Sequence, residues 1–347
     1  MGRKINKMKQ VVYYGPEDVR IEEKDIPTAG EGEVIVRNRV ALTCGTDVKT
    51  FVRGYPLWDP PYTFGHEAAG EVVEIGKDVT NFEVGDRVVA HNSAPCNECY
   101  YCKKGQHSMC ENIQFNLGAF SQYQKIPKAI VKQNMFKIPN DMDFADAALL
   151  EPFSCAVYGI EEIGIELSDV VVVNGAGPIG LMFTKLATLK GAKVITTDLS
   201  DERLKLAKKL GAEVTLNVKD KQNTIELVKS YTEDRRGADV VVEAVGTKET
   251  WENSVLMSRK GGKILLFGGT KKGINFEMST ELLHYSQLTI KGVFHTTPKH
   301  VKMAFELLNR GVISAKDFVS NQYEIDDIEK ALIEHKEGKV IKNLVLL

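Results

Sequence analysis

The run Val170-Val171-Val172-Val173-Asn174 leads directly into Gly175-Ala176-Gly177-Pro178-Ile179-Gly180 and then into the helical stretch GLMFTKLATLKG. Four consecutive β-branched residues cannot present one polar and one apolar face. Such a strand must be covered on both sides, as in a parallel sheet. The turn after it uses glycine three times, each for a separate reason. Gly175 allows the tight turn, Gly177 lets a pyrophosphate approach the backbone, and Gly180 lets helix pack on strand. The helix that opens at Pro178 and Ile179 offers free N–H groups and a positive dipole end to phosphates. A dinucleotide site is therefore expected here.

The pattern continues through KVITTD (193–198), a helix SDERLKLAKKLG, then VTLN, ADVVVEAVG (238–246), GGKILLFGG (261–269) and LTIKGVF (288–294). Strands alternating with helices, joined by right-handed crossovers, predict a doubly wound Rossmann sheet of about six strands over 155–294. Asp198 ends the second strand, 18 residues beyond Gly180. A carboxylate there accepts hydrogen bonds from ribose hydroxyls and repels a 2′-phosphate, so NAD is expected rather than NADP. Arg203 is placed to accommodate a 2′-phosphate in part.

The first 150 residues have a different texture. Short strands such as VVYYG (11–15), EVIVRNRVAL (33–42), GEVVEIG (70–76) and DRVVAH (86–91) are broken by Gly and Pro, which predicts a mostly β domain. Beyond 295 come two amphipathic helices (about 298–309 and 325–336) and a last strand, VIKNLVLL (340–347), expected to return to that domain. The division is thus 1–154 with 295–347, and 155–294, an α/β chain overall. Residues 1–7 are expected to be a frayed basic extension before Met8. They are not followed by the apolar stretch of a secretory signal, and no run approaches the roughly 18 apolar residues of a membrane span. A cytoplasmic location is expected. With 45 Lys and Arg against 47 Asp and Glu, net charge gives no reason to expect nucleic acid or an anionic membrane as partner.

Four of the six cysteines lie in one loop, as Cys96-x2-Cys99-x2-Cys102-x7-Cys110. Four thiolates at such spacing can close on a single structural Zn²⁺ with no open position. An iron–sulfur cluster is the competing assignment, although nothing else in the chain suggests electron transfer. Cys44 stands in CGTD (44–47) and His66 in GHE (65–67). Together they would supply a soft and a borderline ligand, leaving room for a carboxylate and a substrate oxygen.

In their order and rough spacing, CGTD, GHE, the four-cysteine lobe and GAGPIG resemble the zinc-dependent medium-chain dehydrogenases, over essentially all of 8–347. Glu151-Pro152 in LLEPFSCAVYG, with TDLSDERLKLAKKLGA and IKGVF, is similar to the sorbitol (polyol) dehydrogenase branch. The resemblance implies a GroES-like β-barrel domain for 8 to about 154 and 295–347. It further implies a catalytic Zn²⁺ on Cys44 and His66, completed by Glu151 directly or through water. Glu67 would be an alternative or neighbouring carboxylate, Asp47 would hold the far nitrogen of His66, and Thr46 would pass on the alcohol proton. Two Zn²⁺ per chain, NAD, a small alcohol or polyol, and a homotetramer or homodimer follow from it. The implied activity is oxidation of a secondary alcohol to a ketone.

The chain departs from that pattern in places. Lys49 stands where many relatives place a relay histidine, and could contact cofactor or an anionic substrate, or simply be solvated. His295 replaces an arginine that shapes the polyol pocket. Tyr55, Trp58 and Phe115 are candidate wall residues, and Cys155 reads as structural. A threonine or sugar-phosphate substrate, for which Lys49 and Arg53 would be suited, is the enzymatic alternative. A catalytically dead zinc-binding relative is the non-enzymatic one.

Overall fold

The computed structural model describes residues 7–55, 57–220 and 223–347. The expected frayed extension lies outside these residues except for Lys7. That residue opens strand Lys7–Gly15 and pairs with Asp25, so Lys7 is not frayed as expected. The chain forms two compact units. One holds the described residues up to Ser154 with Thr296–Leu347, the other Cys155–His295.

In the first unit, strand Val34–Leu42 occupies the middle of a seven-stranded sheet. It runs antiparallel to Ala68–Ile75 on one side. On the other it pairs first with Tyr123–Ile126 and then with Lys342–Leu346. Val34, Ile35, Ala41 and Leu42 are fully buried, because both faces of this strand are covered. The final strand does return to this unit, as expected. It also lies parallel to Val319–Glu324 across the helix Ile328–Lys336. One strand was not legible beforehand: Asp18–Asp25, sequence DVRIEEKD, is charged at nearly every position. It is held by full-length antiparallel pairing with Lys7–Gly15, and its charges suit a sheet edge.

The second unit is a six-stranded, wholly parallel sheet. Its order is Val214–Asn217, Lys193–Asp198, Val170–Asn174, Ala238–Glu243, Ser258–Leu266 and Thr289–Gly292. The order reverses between Val170–Asn174 and Ala238–Glu243, which is the switch point where such sheets bind ligands. Val172, Ile195, Val241, Ala238 and Met257 form a core on one face. No helix among the described residues is long and apolar enough to cross a membrane.

A Cβ added at Gly180 would stand 1.8 Å from the carbonyl oxygen of Gly175. Backbone would have to move, so Gly180→Ala should cost about 2 kcal/mol or more, read as a lower urea midpoint by circular dichroism. An unchanged midpoint would mean the turn is looser than described.

Candidate metal and cofactor sites

Cys44 caps the helix Gly45–Arg53. Its own N–H donates to Asp47 Oδ2 (2.9 Å), and the Thr46 N–H donates to its sulfur (3.4 Å). This reciprocal box fixes both the helix start and the Asp47 side chain. The other oxygen of Asp47, Oδ1, lies 3.0 Å from His66 Nδ1. With Nδ1 engaged, His66 Nε2 stands 3.9 Å from Glu151 Oε2. Cys44, His66 and Glu67 each offer a ligand atom, all within 4.8 Å of one another.

Burial alone would lower the pKa of His66. The charges of Asp47 and Cys44 outweigh it and hold the imidazole well above its usual range. The cluster therefore has a strong demand for positive charge. Sulfur, imidazole nitrogen and carboxylate oxygen are the donors Zn²⁺ takes, so the residues present fit that ion.

Glu67 is 1% exposed and meets an equally buried Lys342. Lys342 Nζ donates to both carboxylate oxygens, at 2.7 and 2.6 Å, and to the carbonyl of Thr43 at 3.0 Å. Burial pushes the Glu67 carboxyl up, to about 7, against the pull of the ammonium and of His66. Lys342 is itself opposed by burial, but Glu67, Cys44 and Glu151 together more than compensate and its ammonium is retained. Thr43 Oγ1 also accepts the N–H of Asn343 (2.9 Å) and lies 2.8 Å from His335 Nδ1. The last strand is thus tied to the residue before Cys44. Sequence reasoning missed Lys342; its only signal was a lysine among the apolar residues of the final strand.

Thr46 and Lys49 are exposed on one face of the Cys44-capped helix. Tyr55 stacks on Trp58 (centroids 4.9 Å), and Trp58 meets Phe115 edge-on (5.2 Å). The Tyr55 hydroxyl is raised in pKa by burial and feels the charges of His66, Glu151 and Cys44. These rings therefore line the neighbourhood of the ligand cluster. Cys155 is buried in the helix Leu150–Ile163.

The sulfurs of Cys96, Cys99, Cys102 and Cys110 also lie within 4.8 Å of one another, and those of Cys96 and Cys110 are 3.4 Å apart. Ligands of one tetrahedral Zn²⁺ with 2.3 Å bonds would be about 3.8 Å apart. The N–H groups of Glu98 and Cys99 point at the Cys96 sulfur and bring its thiol down to about 6. Burial pushes Cys102 up to about 12. Four sulfurs this close cannot all ionise unless a cation joins them, and the set fits one.

In the nucleotide-type unit, Gly175 has φ +98°, open to glycine, and Gly177 caps the helix Pro178–Leu189 with Pro178 in its first turn. A Cβ on Gly177 would meet nothing within 4 Å, the open space a phosphate approach requires. Asp198 Oδ2 accepts the N–H of Ala176 (2.6 Å) and Oδ1 that of Ser200 (2.9 Å). It thereby joins the glycine turn to the end of the second strand. Ile179 is half-buried in the first turn of the helix, and Arg203 lies in the helix Asp201–Lys209 that follows Asp198.

The comparisons agree with this layout. Residues 30–140 match the alcohol dehydrogenase GroES-like domain and 178–310 the zinc-binding dehydrogenase domain. Sorbitol dehydrogenase of Bacillus subtilis (strain 168) is 31% identical over 94% of this chain and 92% of its own. Among solved structures, 2R,3R-butanediol dehydrogenase of Bacillus subtilis is 26% identical with TM-score 0.86, covering 98% of this chain and 99% of its own. A protein described as a zinc-binding dehydrogenase, from Sinorhizobium meliloti 1021 and bound to NADP, is 27% identical with TM-score 0.91 over 98% and 99%. The chain is thus a two-domain zinc-binding dehydrogenase. It belongs to the zinc-dependent medium-chain dehydrogenase family, in its sorbitol dehydrogenase-like branch, and is an oxidoreductase acting on CH–OH groups.

Lys342→Met would leave the Glu67 carboxylate buried and alone, a loss of about 3–5 kcal/mol. Adding Glu67→Gln should recover most of it in denaturant titrations. A neutral single variant would show that the pair does not support this end of the sheet.

Proposed function

We propose that the chain oxidises a secondary alcohol or polyol to a ketone with NAD, using a catalytic zinc held by Cys44, His66 and Glu151. The observation that carries this is Asp47 fixing Cys44 and His66 together, in a cluster whose charge calls for a cation. When bound, Zn²⁺ supplies the Lewis acidity that makes a hydroxyl acidic near neutral pH, and NAD supplies the hydride acceptor.

The side chains divide the remaining work. Asp47 holds Nδ1 of His66, leaving Nε2 as the ligating nitrogen. Thr46, exposed beside the Cys44 cap, takes the alcohol proton toward solvent. Lys342 keeps Glu67 from adding an unbalanced charge beside the cluster. Lys49, exposed on the same helix face, is available to cofactor or substrate. The four-cysteine lobe holds a second, structural zinc whose binding contributes directly to folding.

The wild-type protein should carry about two zinc ions per chain and reduce NAD with 2,3-butanediol or sorbitol. Cys44→Ser should remove one ion and the activity with little change in melting temperature. Cys99→Ala should remove the other and lower the melting temperature first. Full activity in metal-free protein would sink the proposal, and an orders-of-magnitude preference for a hexitol phosphate over sorbitol, 2,3-butanediol and L-threonine would sink the polyol reading.

NAD is favoured because the Asp198 carboxylate, fixed by two N–H groups, stands where a 2′-phosphate would bring further negative charge. Wild type should prefer NAD over NADP in kcat/KM, and Asp198→Ala should narrow the ratio by about tenfold or more. Equal use of both by wild type would refute the choice.

A further inference from the structure

Glu243 ends the fourth strand of the nucleotide-type unit, Ala238–Glu243, across the switch point from Gly175. It is wholly buried. Its Oε1 accepts three hydrogen bonds, from the N–H groups of Val245 (2.9 Å) and Gly246 (2.8 Å) and from the Thr250 hydroxyl (2.7 Å). Its main-chain carbonyl accepts the N–H groups of Phe267 (3.1 Å) and Gly268 (3.0 Å). Oε2 has no hydrogen-bond partner among the described residues. A carboxylate buried on these terms is costly, and sheet packing alone would be better served by an apolar side chain.

What the carboxylate does is join two turns. A Cβ on Gly268 would lie 2.5 Å from Oε2 and 2.4 Å from the nitrogen of Gly246, so only glycine lets these turns touch. Trp251 Nε1 donates to the carbonyl of Gly268 (2.9 Å), bracing the same turn from the following helix. Val245 remains 43% exposed, and its Cγ2 would be 2.7 Å from a Cβ on Gly175. The turn held by Glu243 therefore borders the glycine turn directly. In a doubly wound sheet the second half of the strands takes the second mononucleotide of the pair.

We propose that Glu243 is a positioning residue for the nicotinamide half of the dinucleotide, setting the turns after the fourth and fifth strands in one fixed relation. The proposal rests on the cofactor reading above. It makes Glu243 indifferent to the adenosine half, which the glycine turn and Asp198 serve.

NADH and ADP-ribose, titrated calorimetrically into the zinc-loaded protein, separate the two halves. Glu243→Ala should weaken NADH by about tenfold or more, raise KM for NAD and leave ADP-ribose within about twofold of wild type. Glu243→Gln, which keeps an acceptor for the three donors, should restore most of the NADH affinity. Gly268→Ala should reproduce the selective loss with the carboxylate intact, and serves in place of Glu243→Ala if that variant does not fold. Equal weakening of both ligands, or no weakening in either folded variant, would overturn the assignment. Wild-type protein that binds ADP-ribose and NADH rules out failure of the cofactor reading as the cause; wild type that binds neither refutes both.

Discussion

A buried ammonium facing a buried carboxylate sets the terms on which the metal cluster can exist. Cys44, Asp47, Glu67 and Glu151 bring four acidic side chains to one end of the barrel-type unit, and Lys342 is the permanent cation among them. Desolvated charge of one sign is expensive. The ammonium answers Glu67, and Asp47 with Cys44 produces the field that lifts His66. A divalent cation completes that balance where the sulfur of Cys44, the nitrogen of His66 and the oxygen of Glu67 converge. For stability alone a well-packed hydrophobic pair is often as good. The ion pair instead permits only one register for the last strand, because a slip of one residue would turn Lys342 to the other face.

Much of the fold was readable because its signals are local. The six parallel strands, the glycine turn and the four-cysteine lobe each lie within a short window, and periodicity or spacing is enough to find them. Cys44 and His66 were paired from their residue types, and only the resemblance joined the distant Glu151 to them beforehand. The pairing of Glu67 with Lys342 spans 275 residues and had no local signature. The strand Asp18–Asp25 escaped because pairing, and not an apolar face, makes it a strand. Glu243 escaped for a related reason: in sequence it is one acid after three valines, and its meaning appears only when two turns from different strands close on it.

The nucleotide-type unit hides polar groups at the same level of its sheet. Asn174 donates to Ser254 Oγ (2.8 Å) and accepts from Thr197 Oγ1 (2.9 Å), and Thr184 and Thr196 share a hydroxyl contact (2.9 Å). Fully satisfied polar networks of this kind specify strand register where uniform valine could slide. They lie at the carboxyl ends of the first two strands, just beneath the glycine turn and Asp198. A turn that must hold backbone N–H groups still for a charged ligand gains from a floor that cannot shift.

The chain has only two tryptophans, and each compact unit holds one. Trp58 stands among the stacked rings beside the ligand cluster, and Trp251 braces the turn at Gly268. Replacing either by phenylalanine would leave a single indole emitter in a known surrounding. Fluorescence from such a chain would report the melting of one unit without interference from the other. It would also show, by a change in wavelength or quenching, which of the two surroundings a newly added ligand has altered.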